Sequence, residues 1–64
     1  MQVGDLVEYK HYRRRIWFSV RRAIVIKVHD DFDETFIDIM YFSRFGDYQY
    51  THTLADNWIV VSEA

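Results

Sequence analysis

Ala23-Ile24-Val25-Ile26-Lys27-Val28, followed after a short acidic stretch by Thr35-Phe36-Ile37-Asp38-Ile39-Met40-Tyr41-Phe42, decides how this chain folds. Both runs are dense in β-branched and aromatic residues, which fit a pleated, half-buried surface. In the second run Ile37, Ile39 and Tyr41 fall on one side, and Phe36, Asp38, Met40 and Phe42 on the other. That is the period of a strand. The carboxylate of Asp38 marks the second side as the wetter one. The first run is apolar at nearly every position, as expected of a strand near the middle of a small closed barrel.

Outward from this pair, the rest of the chain supplies three more short strands. Gly4-Asp5 forms a turn before Asp5–Tyr9 (DLVEY), where Val7 and Tyr9 share a face. Ser43–Gly46 (SRFG) turns the chain into Asp47–His52, with Tyr48 and Tyr50 on one face. Thr53–Asn57 (TLADN) is too short for an α-helix and suits a single 3-10 turn, with Leu54 plugging the barrel end. Trp58–Val61 closes the sheet. No window shows helical periodicity with caps. The expectation is an all-β fold: a small five-stranded antiparallel barrel with one short 3-10 turn before the last strand. Its expected core is Val7, Val25, Ile37, Ile39, Leu54 and Val60.

A chain of 64 residues makes a single domain, 1–64, near the lower size at which a domain folds unaided. There is no cysteine, so neither a disulfide framework nor a thiolate metal site supports it. Stability must come from apolar burial, and half of the residues are hydrophobic. The twelve aromatic residues exceed what so small a core can hide, which points to an aromatic surface and a partner. The net charge of −2 argues against a generic polyanion binder. All but one of the eight Lys and Arg residues precede Val28, and most of the ten Asp and Glu residues follow it. No apolar run approaches the roughly 20 residues of a membrane span, and MQVGDLVEYK has no signal-peptide character. The expected location is cytoplasmic.

His11–Arg22 (HYRRRIWFSVRR) is the strongest local signal. It interleaves five arginines with Tyr12, Ile16, Trp17, Phe18 and Val20. Arginine pairs bidentately with phosphate or carboxylate, and aromatic rings stack on bases or fill apolar pockets. We read 11–22 as a projecting basic and aromatic arm. The expected partner-binding residues are Arg13, Arg14, Arg15, Trp17, Phe18, Arg21 and Arg22. A protein partner or self-association is favoured over nucleic acid. The bland reading is a solvated arm lying on an acidic surface, such as the chain's own Asp30–Glu34 turn.

Other constellations are weaker. Tyr41, Phe42, Tyr48, Tyr50 and Trp58 can be read as an aromatic cage for a cation, but most aromatics in so small a barrel serve as core and wall. His11, His29 and His52, with Asp30, Asp31 and Asp33, lack ligand spacing, and the acidic run lacks the glycine and the length of a calcium loop. A solvated turn is the better reading. No nucleophile, phosphate loop or catalytic triad is spaced for chemistry. We therefore expect no catalytic residues, no metal, no cofactor and no small-molecule substrate.

The element order, with Val3-Gly4-Asp5-Leu6-Val7 first, Ala23–Val28 second, and Leu54 then Trp58-Ile59-Val60-Val61 last, resembles the Src-homology-3-like small barrels, including their KOW and Tudor-type branches. Ala23 stands where KOW-type sequences usually carry glycine. The compact style, without cysteine or proline, resembles tiny phage-encoded barrel proteins most closely. The resemblance implies a non-enzymatic binding module, located in the host cytoplasm or the virion. Its implied targets are proteins or, as the alternative, nucleic acid through the arginine arm.

Overall fold

The computed structural model describes residues 1–10, 22–43 and 45–64. Among these residues five antiparallel strands run in the order β1 (Leu6–Tyr9), β2 (Arg22–Asp31), β3 (Glu34–Phe42), β4 (Tyr48–Leu54) and β5 (Trp58–Ser62). A 3-10 turn, Ala55–Asn57, precedes β5 as the sequence indicated. The strands form one sheet in the order β4-β3-β2-β1-β5, with β4 and β5 at its edges. Among the described residues the sheet is open, and its all-β, five-stranded, antiparallel character agrees with the sequence.

β2 and β3 make a long hairpin. They stay paired out to Asp31 and Glu34, so the stretch read as an acidic turn is mostly strand, and only Phe32 and Asp33 form the loop. Phe32 adopts φ 41°. Tight hairpin turns need a positive φ at the first central position, where Gly or Asn is the usual residue. A phenylalanine in that conformation is uncommon.

One irregularity governs what β2 presents. Val25 pairs with Ile39, but Lys27 pairs with the next residue, Asp38, so Ile26 is an extra residue bulged out of the ladder. Upstream of the bulge, Ala23 and Val25 face inward. Downstream, Val28 faces inward opposite Ile37, while Lys27 and His29 face outward. The unbroken apolar run in the sequence is thus two alternating segments joined out of phase.

The core consists of Val7, Ala23, Val25, Ile37, Ile39 and Trp58, with Tyr9, Val28, Tyr41 and Ala55 packed against it. Burying a Val or Ile side chain contributes roughly 1.5–3 kcal/mol. Four of the six expected core residues are here. Val60 faces the same side as Val7, but on the edge strand, and is 38% exposed. Leu54 is half-buried at the end of β4 on the outer face, opposite Phe36, and does not plug an end. Trp58 takes the central place instead. Its ring meets Tyr9 edge-on at 5.1 Å and its indole N–H donates to Thr53 Oγ1 at 3.3 Å. A buried indole needs such a partner for its one polar atom.

Candidate functional site

The outer face of β2, β3 and β4 gathers most of the chemistry among the described residues. Cross-strand register puts Asp38 directly opposite His52, and His29 opposite Phe36. His29 Nε2 lies 2.9 Å from Asp38 Oδ2, and His52 Nδ1 lies 2.6 Å from Asp38 Oδ1. The two imidazoles meet edge-on at 5.1 Å. Phe36 stacks on His52 at 5.1 Å with only 7° between the rings, which fixes the imidazole plane. The histidines hold the Asp38 carboxyl below its ordinary value, first through the hydrogen bond from His29 and then through that from His52. An ionised carboxylate only accepts, so both facing ring nitrogens donate.

The bulge at Ile26 is what makes this cluster. In a regular ladder Ile26 would stand opposite Asp38, and His29 would point to the core side. With the bulge, His29 turns outward beside Asp38. Farther along the same face, Phe42 and Tyr48 pair directly and meet edge-on at 5.1 Å, and Tyr50 pairs with Met40. Phe42, Tyr48 and Tyr50 are all exposed.

A second feature is the β2–β3 hairpin tip. Phe32 is fully exposed, at 105% of its reference area, between Asp31 and Asp33. Asp30 and Glu34 flank this trio and are also exposed. The tip is an exposed apolar residue flanked along the chain by exposed carboxylates.

Of the partner-binding residues expected from the sequence, Arg13, Arg14, Arg15, Trp17, Phe18 and Arg21 lie outside the described residues. So does His11. Arg22 opens β2, where its guanidinium pairs with Glu8 at 3.1 Å. The aromatic set divides: Phe42, Tyr48 and Tyr50 share the outer face, Trp58 is in the core and Tyr41 packs against it. Those five rings do not form one cage. His29 and His52 come together, not around the acidic run but around Asp38, which the sequence marked only as the wet face.

Among the described residues, no helix is long and apolar enough to cross a membrane. No protein family, curated protein or solved structure matches the chain.

Proposed function

We propose that this protein is a non-catalytic protein-interaction module of the Src-homology-3-like type, of the kind carried by phages. It docks through its basic and aromatic segment, 11–22, on a second copy of the chain or on a host or virion protein. The meander with β1 between β2 and β5, together with the 3-10 turn before β5, supports the Src-homology-3-like reading. The small size and the lack of cysteine and proline support the phage reading.

The observation that carries the docking proposal is the hairpin tip. An arm of arginines, Trp17 and Phe18 suits an acidic surface with an apolar centre, and exposed Phe32 flanked along the chain by Asp30, Asp31, Asp33 and Glu34 offers one. Arginine and tryptophan are the residue types that dominate interface hot spots. An arm on one copy meeting a tip on the next is a heterologous contact, which builds rings or filaments rather than a closed two-fold dimer.

The test is sedimentation and size-exclusion of the wild type, of a variant with Arg13, Arg14 and Arg15 changed to Glu and Trp17→Ala, and of Phe32→Asn. Asparagine tolerates the positive φ, so Phe32→Asn keeps the hairpin while removing the apolar centre. Concentration-dependent assembly that both variants lose supports arm-to-tip docking. Assembly lost only in the arm variant directs the arm to a different surface. If neither variant alters assembly or partner capture, the arm is not the interface. Duplex or single-strand binding that falls steeply with salt and is lost with the arginines would replace this reading with a nucleic-acid one.

A further inference from the structure

The geometry points to a binding site for a first-row divalent metal ion of the zinc class, formed by His29 Nε2, one Asp38 carboxylate oxygen and His52 Nδ1. Two observations carry the inference, and neither depends on the docking function. The donors come from three adjacent strands of one sheet, so backbone pairing holds them in place. Their ligating atoms all lie within 4.8 Å of one another. Zinc–nitrogen and zinc–oxygen bonds of about 2.0–2.2 Å place two ligands of one ion no more than roughly 4 Å apart. Sub-ångström adjustments of the histidine rings are therefore enough to close the set on an ion.

The donor chemistry also fits. Imidazole suits zinc and its neighbours, and a carboxylate supplies charge for the dication. Hydrogen bonds from His29 and then His52 hold the Asp38 carboxyl below its ordinary value. On binding, the ion takes the place of the two N–H···O contacts. Each neutral imidazole then carries its proton on the other ring nitrogen, Nδ1 of His29 and Nε2 of His52. No proton or electron leaves the protein in that exchange. Phe36, stacked on His52, covers one side of the imidazole and keeps its plane. Side-chain exposures of 34%, 29% and 57% for His29, Asp38 and His52 leave the site open to solvent. Three protein ligands leave a further position for water or for a donor from another molecule. This is the layout of an open site, unlike the closed four-ligand set of a purely structural zinc.

The test uses the untagged full chain, freed of metal with a chelator and titrated with Zn2+. Calorimetry gives stoichiometry and affinity, and nitrogen-15 spectra of the imidazoles identify the ligands. The expected result is one saturable Zn2+ per chain and a melting temperature that rises with free Zn2+, as mass action requires. Imidazole signals of His29 and His52 move, while that of His11 does not. His29→Ala and His52→Ala each weaken binding by more than the roughly 10–100-fold that loss of an outer-shell partner costs. His11→Ala leaves binding unchanged. The site is overturned by absence of saturable binding, by binding that survives either substitution, or by spectra that report His11 as the ligand. The spectra of the unaltered chain decide the matter even if a histidine variant fails to fold.

Discussion

The backbone N–H of Ala64 donates to Asp5 Oδ1 at 2.9 Å, joining positions 59 residues apart. The other carboxylate oxygen accepts from the N–H of Gln2 at 2.8 Å, and the main chain of Asp5 and Gly4 pairs with Val25. Asp5 is buried, and is the one buried polar side chain among the described residues. It ties the residues before β1 and after β5 to the middle strand. A buried carboxylate is tolerated because both oxygens are paired.

That pairing sets a pH dependence. The hydrogen bonds from Ala64, first, and Gln2 hold the Asp5 carboxyl below its ordinary value of 3.8. A carboxyl depressed on folding contributes stability that is complete above the unfolded value and is lost as pH falls through the folded one. Asp5→Asn does not titrate. We expect it to melt below the wild type at neutral pH, with the difference shrinking as pH drops below 3.8. A gap that stays constant into the acid range would show that Asp5 acts by shape alone.

The two glycines should respond differently to alanine. Both have positive φ, 94° at Gly4 and 89° at Gly46, so either substitution strains the backbone by about 1–2 kcal/mol. A Cβ at Gly4 would also lie 2.8 Å from the Cβ of Ala64, whereas at Gly46 it meets nothing within 4 Å. Gly4→Ala should therefore lower the denaturation midpoint more than Gly46→Ala. Equal losses would mean that the segment carrying Ala64 moves aside freely.

Core and edge positions separate in the same way. Ile39 has no exposed surface, and Ile39→Ala should cost about 2–5 kcal/mol, a large share of the stability of so small a domain. Val60, on the edge strand, should lose far less on truncation to alanine. Paired urea melts check this, and similar losses at both positions would place Val60 in the core after all.

The strands and the two faces of β3 were legible because alternation in TFIDIMYF is a local property. So was the 3-10 turn. Most of the core was legible, but Leu54 falls on the outer face through its register with Phe36, and Val60 shares the face of Val7 but belongs to an edge. Trp58 was absent from the expected core because its indole partner, Thr53, is recognisable only once the 3-10 turn brings the two together. The histidine–carboxylate cluster was not legible at all. Its members are separated by 9 and 14 residues, and their meeting depends on cross-strand register and on the bulge. Neither leaves a mark in residue spacing.

The bulge also means that β2 is one residue longer than the ladder it fills. Removing Ile26 would leave Lys27 opposite Asp38 and His29 on the outer face, so the strand tolerates shortening at that position. Adding a residue between Lys27 and His29 would turn the histidine inward and separate it from Asp38. Whether relatives of this protein keep the outer cluster thus depends less on which side chains they substitute than on where in this strand their length changes.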